Sequence, residues 1–142
     1  MSSVREIIQQ RQVFAAEEGQ TVAAVVRHMA ELKVGAILVL RDGELRGVFS
    51  ERDLMVRVVL AGLDPAATPV EKVMSTDIAS VGETATPEDA MERMRAHNCR
   101  HLPVVRGSQV VGFLSMRDLM NFELERKTEE LHHMRAYIHG TA

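Results

Sequence analysis

Apolar and polar positions along this chain alternate between helical and strand periods in one order, and then do so again. In the first half, Val22, Val25, Val26, Met29 and Leu32 recur at helical spacing behind Thr21, a residue type that caps helix N-termini. Ala36 to Leu40 is a short apolar run that reads as a buried strand. The Asp-Gly pair in Arg41-Asp42-Gly43-Glu44 favours a tight hairpin, and Leu45 to Phe49 is the returning strand. A short strand near Val13 and Phe14 comes before the first helix. A second helix starts at Ser50, passes through Leu54, Val58 and Val59, and stops before Gly62. The unit is strand, helix, strand, strand, helix.

The second half spells the same unit. A strand around Ile78 to Val81 leads into Thr86-Pro87-Glu88-Asp89, where a cap is followed by proline at the first helical position and by acids in the first turn. Ala90, Met91 and Met94 form the apolar face. Leu102 to Val105, a turn at Arg106 to Gln109, and Val110 to Leu114 make the hairpin. Asp64 to Pro69 holds two prolines and reads as a linker, and Val70 to Ser75 as about one turn of helix. The last helix runs from Ser115 to about Ile138. Met120, Leu124, Leu131, Met134 and Ile138 share a stripe on it that packs either on the chain's own body or on a second subunit.

The repetition reaches individual residues. Gly47-Val48-Phe49-Ser50-Glu51-Arg52-Asp53 returns sixty-five residues later as Gly112-Phe113-Leu114-Ser115-Met116-Arg117-Asp118. At the same offset Thr21 lies over Thr86, Met29 over Met94, Val39 over Val104 and Arg41 over Arg106. A chain of 142 residues divided in two leaves halves too small to stand alone, so they are expected to share a core about a pseudo-twofold axis.

Composition narrows the function. The net charge of -3, with acids and bases interspersed, argues against a nucleic-acid binder. Cys99 is the only cysteine, so one chain builds neither a disulfide nor a cysteine-based zinc site. No run approaches the roughly 20 apolar residues of a membrane span, and Met1 to Glu6 lacks the apolar core of a secretory signal. A soluble, cytoplasmic protein is the expectation.

These residues carry a family likeness. The paired Gly-x-x-Ser-x-x-Asp motifs, Val73 to Asp77, and Arg100-His101-Leu102-Pro103-Val104-Val105 together resemble a tandem pair of CBS domains, the cystathionine-beta-synthase type module or Bateman module, over about Val13 to Phe122. Ala136 to Gly140 is similar to the ending of small stand-alone members to which nothing catalytic is attached. The resemblance implies an α+β fold of two βαββα repeats with a long C-terminal helix. It also implies binding of AMP, ADP, ATP or NAD in two clefts between the repeats, a homodimer, and regulation of an unidentified protein partner. The divisions are an N-terminal helical segment 1–12, a first repeat 13–62, a linker 63–72, a second repeat 73–122 and a helical extension 123–142.

Two roles suit Ser50 with Asp53 and Ser115 with Asp118. One is a capping box, serine and aspartate exchanging bonds with each other's backbone. The other is a nucleotide seat. Gly47 and Gly112 let a group approach the strand end, free helix N-H groups and serine hydroxyls meet phosphate, and each carboxylate accepts the two hydroxyls of a ribose diol. From the family, Ile37, Val81 and Pro103, with Leu102 and Val104, are either a purine slot or core. Arg100 and His101 have no basic counterpart in the first repeat, where Gly35 and Ala36 stand, so the second cleft is expected to hold phosphate more tightly, with Arg52 and Arg117 as further charges.

An enzyme finds little support, since His28, His97 and His101 sit in no catalytic pattern. Adjacent His132 and His133 point about 100 degrees apart on a helix, a poor start for a metal site even with His139. The rival to a nucleotide sensor is an interaction module without nucleotide that docks on a partner such as a thioredoxin-like protein. Cys99 beside Arg100 and His101 is then either a redox-responsive thiol or a buried small residue matching Val34.

Overall fold

A computed structural model of the chain describes residues 2–8 and 13–138. Its elements are α1 (Val4–Ile8), β1 (Ala15–Glu17), α2 (Val22–Leu32), β2 (Ala36–Arg41), β3 (Glu44–Ser50), α3 (Glu51–Asp53), β4 (Val81–Gly82), α4 (Pro87–Ala96), β5 (His101–Arg106), β6 (Gln109–Ser115) and α5 (Met116–Ile138). A π-helical stretch, Leu54–Val59, continues α3, and a single 3-10 turn, Val70–Lys72, follows the linker. The fold is the mixed α/β pair of repeats with a long last helix that the sequence indicated.

The strands form one six-stranded sheet in the order β1-β2-β3-β6-β5-β4. In each repeat a short strand pairs parallel with the next, Ala16 opposite Val39 and Val81 opposite Val104, and a hairpin follows. Both hairpins shift register at the same place, between Val39 and Leu40 and between Val104 and Val105. The half-sheets meet where Glu44 faces Gln109. The positive φ of Asp42 (53°) and Gly43 (82°) is what the tight Asp-Gly turn requires.

Capping decides where the helices begin. Thr21 Oγ1 accepts from the Ala24 N-H, and Thr86 with Asp89 makes the reciprocal capping box. The strands expected near Val13 and at Ile78 to Val81 are shorter and later, at Ala15–Glu17 and Val81–Gly82, because only those residues find partners on β2 and β5. The second helix of the first repeat takes i→i−5 bonds such as Leu60 N-H to the Met55 carbonyl (3.0 Å), where branched Val56, Val58 and Val59 crowd a regular turn.

One expectation is corrected. The halves do not share a single core; two clusters form, each finished by a segment belonging to the other half. Val70, Val73 and Met74 pack with Val22, Val25, Ile37 and Phe49, while Val4 and Ile8 pack with Ala90, Met94, Leu102 and Leu114. The two segments spell one pattern, Val4-Arg5-Glu6-Ile7-Ile8 and Val70-Glu71-Lys72-Val73-Met74. Backbone bonds hold each across the boundary: Val4 N-H to the Ala85 carbonyl (2.8 Å), and Val70 N-H to the Gln20 carbonyl (2.9 Å). Burying each Val or Ile side chain this way stabilises by about 1.5–3 kcal/mol, so the segment ahead of each repeat ties the halves together.

Candidate functional site

The two motif copies lie where β3 runs into α3 and β6 into α5. Ser50 is extended (φ −123°, ψ 165°), so its Oγ accepts from the Asp53 N-H (3.2 Å) while Asp53 Oδ2 accepts from the Ser50 N-H (3.0 Å). Ser115 and Asp118 exchange the same two bonds, at 3.0 and 2.9 Å. The capping role is therefore present in both copies. Part of each helix N-terminus is already engaged: Glu51 N-H donates to the Gly35 carbonyl (2.9 Å) and Met116 N-H to the Arg100 carbonyl (2.8 Å). These first-turn donors are used in joining each helix to the turn before the neighbouring strand.

At the second copy the surface opens into a cleft of about 1160 Å³ between the repeats. Ser115, Arg117, Asp118, Arg100 and His101 line it from the second repeat, and Phe14 with Lys33 to Ala36 from the first. Met116, Met120 and Phe113 supply apolar surface. Among the described lining residues are three cationic side chains, Lys33, Arg100 and Arg117, and one carboxylate, Asp118, a charge balance that favours an anion also carrying neutral hydroxyl donors. Asp118 is half-buried and Arg100 exposed.

His101 stacks on Phe113, ring centroids 5.4 Å apart at 34°. Its side chain reaches solvent at the mouth, yet surrounding protein strips enough water from the ring to push its pKa below the usual value. The Asp118 carboxylate pulls the other way, and Arg100 adds to the lowering.

The remaining sequence candidates stand elsewhere. Asp53 is 7% exposed, and its oxygens accept from both groups of Ser50 and from the Ser75 hydroxyl. Gly47 and Gly112 are buried, and the close neighbour that each admits is a side chain of a crossing segment, Met74 over Gly47 and Ile8 over Gly112. Ile37, Val81, Leu102 and Val104 belong to the two cores, and Pro103 is buried opposite Phe113, which gives these residues packing roles. Arg52 is exposed. Cys99 is half-buried against the second core, as Val34 is against the first.

Lys33, Phe14 and Met120 were not picked out by sequence as lining a site. A signal for Lys33 existed: it aligns with Asn98, both take positive φ (58° and 51°), and the turn facing Arg100 and His101 across a pseudo-twofold axis is its own counterpart. The His132 and His133 rings lie 6.4 Å apart, and His139 is outside the described residues. Among the described residues no group of three or more His, Cys, Asp or Glu is placed to hold a metal ion, and no helix is long and apolar enough to cross a membrane.

The CBS domain family model matches twice, over residues 4–59 and 70–125. Its two starts, Val4 and Val70, are the first residues of the two crossing segments. The CBS domain-containing protein YhcV of Bacillus subtilis is 36% identical over 119 residues, covering 84% of each chain. Among solved structures, Hypoxic Response Protein I, crystallised with two coordinated zinc ions, superposes with a TM-score of 0.78 at 26% identity, over 86% of this chain and 99% of that one. A CBS domain protein from Pyrobaculum aerophilum complexed with AMP gives 0.72 at 30% identity, over 82% and 89%.

Proposed function

Since this chain belongs to the CBS-domain family and carries two copies of the domain, we propose that it is an adenine-nucleotide sensor that acts by binding and changing shape rather than by catalysis. The observation that carries this is the placing of Asp118 in a cleft between the repeats that Lys33, Arg100 and Arg117 also line. A carboxylate accepts from the hydroxyls of a ribose, the cations neutralise phosphate, and Phe113, Met116 and Met120 give an apolar face for a base. The AMP held by the similar Pyrobaculum aerophilum protein supports the class of ligand.

Within that class AMP, ADP, ATP and NAD share the groups the cleft recognises. A dissociation constant in the micromolar range, about −8 kcal/mol, suits the sensing of a metabolite. Ligand joining Asp118 of one repeat to Lys33 of the other favours one angle between them. That angle reaches the outside through helix faces that solvent now touches: Met55, Val59 and Leu60 in the first repeat, Met120 and Leu124 in the second. Met55 and Val59 align with Met120 and Leu124, so the repeats present one apolar face twice, suited to a second copy of the chain. Met120 borders both cleft and face, which makes it the route from ligand to dimer and on to a regulated protein.

Isothermal titration of the purified protein with AMP tests this. Saturable heat in the micromolar range, lost in Asp118→Ala and weakened about tenfold or more in Arg100→Ala, is the expected result. No heat with AMP, ADP, ATP or NAD would overturn the sensor and leave an interaction module.

A further inference from the structure

We propose that the far end of α5 is a dimerisation arm, whose apolar stripe from Met120 to Ile138 pairs antiparallel with the same stripe of a second copy of the chain. This names a contact for the dimer in the reading above and does not depend on nucleotide binding.

The stripe faces away from its own body. Leu119 is fully buried, Phe122 is half-buried and Arg126 reaches Glu88 in the first turn of α4 (3.3 Å), so one face of α5 rests on the second repeat as far as Arg126. Met120, Leu124, Leu131, Met134 and Ile138 lie roughly 120° round the helix from those residues, and every one of the five is more than half exposed. From Lys127 to Arg135 every residue is exposed. So short a helical stretch is marginal in water without packing, and its apolar side calls for a partner.

The spacing says which partner. With Lys127 included, the stripe advances by four, three, four, three and four residues, the seam of two helices wound together. That series reads the same in both directions. Turned end over end about a twofold axis, Met120 meets Ile138 of the partner subunit, Leu124 meets Met134 of the partner subunit and Lys127 meets Leu131 of the partner subunit, over roughly 27 Å of helix. Charge fixes the direction. A parallel pair would set Lys127 against Lys127 of the partner subunit, whereas the antiparallel pair sets it beside Glu130 of the partner subunit, which makes two ion pairs about the axis. The stripe also runs on from Met120 and Leu124, the exposed face already assigned to a second copy.

Disulfide trapping reads the direction and sedimentation the strength. In a Cys99→Ser background, Leu124→Cys alone and Met134→Cys alone are each expected to give no linked dimer, because each position stands roughly 15 Å along the axis from its own copy. Mixed and mildly oxidised, the two variants should give a disulfide joining one chain of each kind. In the natural background, Leu131→Glu with Met134→Glu should weaken association about a hundredfold or more, and Lys127→Glu about tenfold; all three positions lie beyond the packed part of α5, so the body folds as before. Linked dimers from either single variant alone, or no mixed disulfide, would overturn the antiparallel pairing. A dimer that Val59→Glu breaks and the double variant leaves intact would overturn the arm while the earlier dimer stands, and a wild type that gives no heat with AMP would count against the sensor alone.

Discussion

Ile8, in the helical turn near the start of the chain, lies directly over Gly112 in β6, so that a methyl group added there would occupy the space of the Ile8 side chain. Met74 covers Gly47 in the same way. Gly112→Ala is expected to destabilise by about 1–3 kcal/mol through overpacking, and Ile8→Ala by about 2–5 kcal/mol through loss of buried surface. Gly47→Ala should cost less, because an unbranched methionine moves aside more readily than a branched isoleucine. Urea unfolding checks these values. The double variant Ile8→Ala with Gly112→Ala should fall short of the sum, since the shorter side chain makes room for the added methyl.

Glu83 ties the same N-terminal segment to the second repeat by charge. Arg106 grips its carboxylate with bonds of 2.6 and 3.1 Å and Arg5 adds one at 3.0 Å, so the hydrogen bonds of Arg106 first, and then of Arg5, bring its pKa from the usual 4.5 to about 2. The unfolded chain takes up this proton near pH 4.5 and the folded one only near 2. The contribution of Glu83 is therefore complete above about 4.5 and disappears as pH falls through that window. Thermal melts at stepped pH are expected to show a shallower acid limb in Glu83→Gln than in wild type, with the two curves converging towards pH 2.

Val59 is 63% and Leu124 67% exposed, although both are the apolar residues a core would take. Sedimentation of the wild-type protein is expected to show a dimer. Val59→Glu and Leu124→Glu, which each place a charge on the paired faces, should shift it to monomer with about a hundredfold weaker association or more. Arg46→Glu, in β3 where the side chain is paired with Glu18, should leave the dimer as it was. A wild-type monomer at high concentration would contradict the pairing of these faces.

Much of this was legible beforehand because local physics decides it. Thr21 and Thr86 announce their helices through caps, Asp42-Gly43 its turn through positive φ, and the sixty-five-residue echo the pairing of halves. What stayed hidden was non-local. Nothing near Val4 or Val70 says that each packs on the far repeat, because a short apolar pattern states what must be buried and not against which surface. The site divided along the same line. Ser115, Asp118, Arg100 and His101 converge as their motif suggested, whereas Asp53, in an identical motif, is claimed by Ser75 and Arg57 from outside it. Lys33 and Phe14 reach the cleft only through the assembly of the two repeats.

Asp118 is proposed to recognise a ribose through its neighbouring hydroxyls, and calorimetry with AMP and with 2'-deoxy-AMP puts this to the test. The deoxy compound lacks one hydroxyl donor to a charged acceptor, worth about 1.5–3 kcal/mol, so it should bind roughly ten- to a hundredfold more weakly to wild type. In Asp118→Asn that preference should largely vanish. Equal affinity of the wild-type protein for the two nucleotides would contradict the account.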